Sequence, residues 1–282
     1  MTWERFGYIC RKVSVDTGDQ ESVSACLSRV ENEKSCDLYG RKIGDKSWPR
    51  KILNAIQDIQ DQDKAKETIE TYKNLSLTKQ FEEPMRFKRV IAYLSYVTFV
   101  FYSVVGVYQV KVAPSFIGVF EDFGIPIPIS LLFYQDYLVH FLIVVSLFLV
   151  SALLIGFQIK KLFNFNTGVE DTLFIKYLVS RNVRKSYLKI VNILEFPILT
   201  SDQLKNQNEN PITSHLQSIK HSNMCISAEM QELIETEMQS LLEGSERQMK
   251  FITTSVVLVV VIAIFFFLAS AYAPIFILGD AV

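Results

Sequence analysis

The sequence predicts an all-α, polytopic membrane protein with three transmembrane helices and two cytoplasmic helical bundles arranged as a pseudo-repeat. Three observations lead there: charge is confined to blocks, the apolar residues inside those blocks recur at helical spacing, and a short motif occurs twice. Of 29 basic and 30 acidic groups, residues 1–89 carry 17 and 15, and residues 160–250 carry 11 of each. Residues 90–159 hold one base, Lys111, and three acids, Glu121, Asp122 and Asp136; residues 251–282 hold only Asp280. A chain that is 49% hydrophobic cannot be a disordered segment, and four cysteines in 282 residues cannot form a dense disulfide scaffold. The net charge of −1 gives no general electrostatic reason to bind nucleic acid.

The first block, residues 1–89, is expected to be a cytoplasmic helical domain. Its opening carries Glu4, Arg5, Arg11 and Lys12 and lacks the apolar stretch of a cleavable signal, so the block is expected to be retained. Ile52, Ile56 and Ile59 mark a helix that begins after Trp48-Pro49, with proline in the first turn.

Residues 90–110 then supply 21 uncharged positions, enough to cross a hydrocarbon core. Residues 111–137 form a short outer loop, and residues 138–159 form a second span of 22. Residues 160–250 make a second cytoplasmic domain, residues 251–278 a third span of 28, and residues 279–282 an outer tail. Arg86, Lys88 and Arg89 precede the first span, Lys160 and Lys161 follow the second, and Arg247 and Lys250 precede the third. The loop 113–137 has no Lys or Arg, so the positive-inside bias puts both polar blocks in the cytoplasm and the loop and C-terminus outside. Cys10, Cys26, Cys36 and Cys225 all fall in those blocks without metal or redox spacing, and read as free structural thiols.

In the second block Tyr187, Ile190, Val191 and Leu194 make an apolar stripe that stops at Phe196-Pro197. Asn206 to Pro211 reads as a polar loop. Met230, Leu233, Ile234, Met238, Leu241 and Leu242 make another stripe, with Glu229, Glu232, Glu235, Glu237, Glu243 and Glu246 around it. No sustained alternation of period two occurs, which leaves little or no sheet.

Ala113-Pro114-Ser115-Phe116 and Ala273-Pro274-Ile275-Phe276 share an Ala-Pro-x-Phe pattern at the outer ends of two spans. Ile69-Glu70-Thr71 and Ile234-Glu235-Thr236 occupy corresponding places upstream. A proline there is expected to stop the helix as it leaves the membrane, and the aromatic suits the headgroup level. Ala113, Pro114, Phe116, Ala273, Pro274 and Phe276 are therefore candidate membrane-exit residues. The middle span would return the chain inward, so both copies point the same way.

These residues resemble the type II secretion system protein F family, the PilC-like inner-membrane platforms of type IV pili. Ala273 to Gly279 is similar to the family's terminal Leu-Pro-Ile-Phe-x-Leu-Gly signature, and Val112 to Pro126 to its series after the first span. Leu188 to Leu194, followed by Ile198 to Leu204, looks like its leucine-rich helix pair. The family's Gly-Glu-x-x-Gly element has no match beyond Glu235. The short chain fits a type IVb or conjugative pilus system. The resemblance implies a bacterial inner-membrane scaffold without cofactor or covalent chemistry, linking a cytoplasmic assembly ATPase to pilin or pseudopilin. It also implies other inner-membrane assembly proteins as partners, homo-oligomerisation and contact with the lipid bilayer. The alternative is a membrane sensor that signals by dimerising its helical domains.

Candidate partner-binding residues are Arg181, Arg184, Lys185 and Lys189, a basic stripe suited to anionic lipid or a partner, and Glu232 and Glu235 on the acidic face. For both faces the plain reading is a solvated helix surface. No catalytic, cofactor or metal site is expected: three histidines so placed build no triad, and no phosphate-binding GxxxxGK loop exists.

Overall fold

The structure is a computed structural model that describes residues 2–17, 21–77, 81, 87–124, 126–127, 129–169, 172–200 and 210–281. The regular structure of the described residues is helical, with no strand among them. The nearest approach to sheet is a single bridge between Ser47 and Asn166. The α-helices are α1 (Thr2–Asp16), α2 (Val23–Glu31), α3 (Trp48–Gln57), α4 (Gln62–Lys73), α5 (Phe87–Val107), α6 (Ala113–Asp122), α7 (Ile129–Phe163), α8 (Leu173–Leu178), α9 (Arg181–Glu195), α10 (Pro211–His221) and α11 (Ile226–Ala281). Tight 3₁₀ turns cover Lys34–Tyr39 and Phe196–Ile198, and a π-turn covers Tyr108–Val112.

Local chemistry accounts for the helix starts. Ser22, Asp61, Ser180 and Asn210 accept backbone N–H bonds as N-caps of α2, α4, α9 and α10. Pro49 and Pro211 sit in first turns, where their missing N–H costs nothing. The Asn206 to Pro211 loop lies largely outside the described residues, and Pro211 itself opens α10. Ile59 falls just beyond α3.

Two compact units divide the chain. A polar unit combines residues 1–85 with 158–246, and a membrane unit combines residues 86–157 with 247–282. The sequence reading treats the two polar blocks as two bundles, whereas in the structure both contribute to one compact unit. The reason is a shared aromatic core. Trp3 stacks on Phe81 at 4.7 Å, Phe81 meets Phe165 edge-on at 4.3 Å, and Phe165 stacks on Tyr187 at 5.4 Å. Trp48 Nε1 donates to the Tyr187 hydroxyl at 3.3 Å, and the Tyr72 hydroxyl donates to the Leu194 carbonyl. Trp48 N bonds Phe165 O at 3.0 Å, so a backbone link also joins the blocks. Burying aromatics of this size from both segments removes far more apolar surface than either segment could cover alone. Ion pairs tie the rim: Arg50 clasps Glu31 with both guanidinium nitrogens, and Lys51 meets Glu195 at 2.6 Å.

Arg89–Asp122, Val139–Phe163 and Ile226–Ala269 contain windows long and apolar enough to cross a membrane, and only 11%, 22% and 17% of those windows is buried within the protein. Apolar side chains left exposed over helices of this length fit a membrane protein, because lipid then supplies the missing contacts. The spans pack at Gly156, where a Cβ would lie at ordinary contact distance, 3.4 Å from Ile91 Cγ1 and 3.5 Å from Met249 Cε. Ala152 and Ala263 are also buried, while Gly106 has nothing near it and Ala269 is exposed.

The prolines of the repeated motif do not stop their helices. Pro114 lies in the first turn of α6, which follows the π-turn without a gap, and Ala113 N donates to Tyr108 O, five residues back. That wider turn absorbs the proline's missing donor. Residues 111–122 and 129–137 of the expected outer loop are therefore helix. Pro274 lies inside α11, whose backbone remains helical to Ala281. Each helix thus continues past the one backbone bond that its proline cannot donate.

Candidate functional site

The basic stripe is the start of α9. Arg181 and Lys185 are exposed, Arg184 is half-buried, and the Arg184 guanidinium donates to Lys176 O at 3.4 Å. Burial of Val183, Ser186, Tyr187, Ile190, Val191 and Leu194 fixes which way this face points. Lys189, one turn on, meets Glu237 of α11 at 2.6 Å. The basic and acidic faces inferred separately from the sequence thus neutralise each other at that point.

The acidic face is similarly engaged. Glu229 meets His215 at 2.8 Å, Glu235 accepts from Gln231 at 3.1 Å, and Glu243 accepts from Gln239 at 3.0 Å. Glu232 is exposed on the outside of α11. Of the Met230, Leu233, Ile234, Met238, Leu241 and Leu242 stripe, Leu233 and Leu242 are half-buried and the other four are buried. Of the exit motif, Ala113 is buried, Phe116 is half-buried and Phe276 is exposed; Ala273 and Pro274 have side chains outside the described set. Ile69 and Ile234 of the upstream match are both buried, yet α4 ends at Lys73, whereas α11 runs on.

The polar unit also holds an open groove of about 510 Å³, which the sequence reading missed. Its walls are α4, the Phe196–Leu199 turn and the end of α10. Lys220 meets Glu67 at 2.8 Å, Lys64 donates to Leu199 O at 3.0 Å, and Thr68 donates to Pro197 O at 3.2 Å. Lys220 and Glu67 offset each other, whereas Lys64 bonds a neutral carbonyl and Asp61 and Asp63 also line the groove.

Thiol chemistry separates by burial. Cys10 is fully buried, which pushes its pKa up to about 12, and burial also raises that of Cys36. Cys225 is exposed just before α11, and a hydrogen bond with the Ser227 side chain at 3.3 Å lowers its pKa. At the edge of the unit the Lys12 ammonium, hydrogen-bonded to Glu33, holds that carboxyl below the usual range, helped by Ser35 Oγ at 3.0 Å.

No family model, curated protein or solved structure matches the chain. The functional reading therefore stands on the residues and their arrangement.

Proposed function

We propose that this chain is an inner-membrane platform of a type IV pilus or type II secretion machine. In this reading the polar unit lies in the cytoplasm and binds an assembly ATPase, while the spans and the outer turn contact pilin or pseudopilin. The observation that carries it is α11: one helix supplies Met230, Ile234, Met238 and Leu241 to the polar core and residues 247–281 to the membrane unit. A load or rotation applied to the polar unit then reaches the bilayer through continuous backbone, which suits transmission of movement and needs no covalent step. Basic flanks at Arg89, Lys160, Lys161, Arg247 and Lys250 support the cytoplasmic side for that unit.

The test is affinity purification of the intact protein in detergent from its native host. Recovery of a hexameric ATPase or a pilin supports the reading. Recovery of neither, together with normal pilus assembly after deletion, overturns it. Exposed Cys225 checks orientation, because a membrane-impermeant maleimide should label it in inverted vesicles and leave it unlabelled in intact cells.

A further inference from the structure

Helix α8 follows the end of α7 by ten residues, a reach of roughly 35 Å at most even for extended chain. A tether of that length lets it reach a membrane surface whichever way the spans are oriented. Its sequence, Leu-Phe-Ile-Lys-Tyr-Leu, looks like a short core helix, and Ile175 is indeed buried. Its other large side chains are not: Leu173 is 67% exposed, Phe174 53% and Tyr177 77%. Three adjacent apolar side chains in water are unusual for a soluble surface and call for a cover.

Charge identifies the cover. Lys176 is exposed on α8 itself, and Arg181, Arg184 and Lys185 follow on the outer face of α9 at helical i, i+3, i+4 spacing, with half-exposed Leu188 completing the row. From Thr172 to Leu194 the chain has no acidic residue at all. Glu170 and Asp171, which precede α8, lie outside the described residues. Leucine, phenylalanine and tyrosine beside these cations, with Arg184 bonded to Lys176 O at 3.4 Å, match the two layers of a lipid surface, apolar at acyl-chain depth and anionic at the phosphates. A protein partner of this composition would need a matched acidic rim around an apolar hollow.

We infer that the α8 face and the first turn of α9 form a docking surface for an anionic bilayer, with Leu173, Phe174 and Tyr177 inserted and Lys176, Arg181, Arg184 and Lys185 on the phosphates. This secures the polar unit against the membrane near the end of α7. It rests on the chain being anchored by its spans and is independent of any pilus or secretion role.

The test uses the full-length protein in nanodiscs. A polarity-sensitive dye is placed at position 177 by Tyr177→Cys in a Cys225→Ser background; the other three cysteines are buried. In discs with about one-third phosphatidylglycerol, emission should move to the blue and acrylamide quenching should fall several-fold relative to phosphatidylcholine discs. High salt should reverse both changes. Neutralising Lys176, Arg181 and Lys185 to Gln should lower the docked-to-undocked ratio about fivefold per cation. Phe174→Ser, at an exposed position, should weaken docking without altering the circular dichroism of the protein. Equal quenching in the two disc types, or docking indifferent to the charge variants, overturns the inference. So does protection that appears only when membrane proteins from the host are added, which would make the face a protein-docking site.

Discussion

Replacing Gly244 by alanine should destabilise the polar unit, although in most helices the same change stabilises. A Cβ at Gly244 would lie 2.9 Å from Val183 Cγ2, with Val183 N and Cα at 3.9 and 4.0 Å. Carbon atoms rest about 3.5–4.0 Å apart, so the overlap is roughly 0.6–1 Å. Val183 cannot swing clear: it is fully buried, its branched side chain has one favoured rotamer in a helix, and its N–H is held by the Ser180 cap. Either α9 and α11 separate or Val183 leaves its rotamer, and overpacking of this kind costs about 1–3 kcal/mol. The helix-propensity gain of about 1 kcal/mol offsets part of that, leaving a net loss of roughly 1 kcal/mol. Urea titration in detergent micelles, followed by intrinsic fluorescence, isolates the effect, because both tryptophans, Trp3 and Trp48, are buried in the polar unit. The midpoint should fall in Gly244→Ala. Val183→Ala costs stability of its own at this buried site, so the double variant should lose about 1 kcal/mol less than the sum of the two single variants. A midpoint unchanged or raised in the single variant would refute the close approach of α9 and α11.

Three further outcomes follow from the polar unit. Tyr187→Phe removes the acceptor of the Trp48 indole N–H and the donor to Asn166 O at 3.4 Å; with those groups buried, the loss should be about 1–3 kcal/mol, read as a lower urea midpoint. Of the four cysteines, Cys225 should react with an aromatic disulfide reagent at mildly alkaline pH well before the others, and Ser227→Ala should slow it; fast reaction of Cys10 would contradict its burial. Glu33, whose carboxyl titrates below its ordinary value when folded, contributes stability that is present at neutral pH and lost as pH falls through its folded pKa. The gap in urea midpoint between the wild-type protein and Glu33→Gln should therefore narrow as the pH falls below the ordinary carboxylate range, and a gap independent of pH would remove the Lys12 contact from the account.

The spans were legible because charge exclusion over twenty residues is a one-dimensional signal. The stripes of α9 and α11 were legible for a related reason: 3.6-residue spacing shows which face is covered. It does not show by what. Nothing in the spacing of Ile52 and Ile56 says that Trp48 beside them reaches Tyr187, 139 positions away, so two bundles were expected where one core exists. Phe165, with a left-handed φ of 46°, sits in the turn that makes this meeting possible, and no local rule anticipates such a backbone at phenylalanine.

Proline shows the complementary failure. Rules learned in water treat Pro114 and Pro274 as stops, because water readily takes the carbonyls that a broken helix frees. Here the backbone stays helical instead, with a π-turn ahead of Pro114 and uninterrupted helix through Pro274, as a chain would that has no water to take the freed carbonyls. The same asymmetry explains why the α8 face escaped notice. Its Leu-Phe-Ile-Lys-Tyr-Leu run carries the composition of a buried helix, and only the observed exposure of Leu173, Phe174 and Tyr177 reveals that the apolar phase it matches is outside the protein. For a chain that borders two solvents, a hydrophobic residue specifies burial in an apolar phase, and whether protein or lipid supplies that phase is decided by geometry that the pattern does not encode.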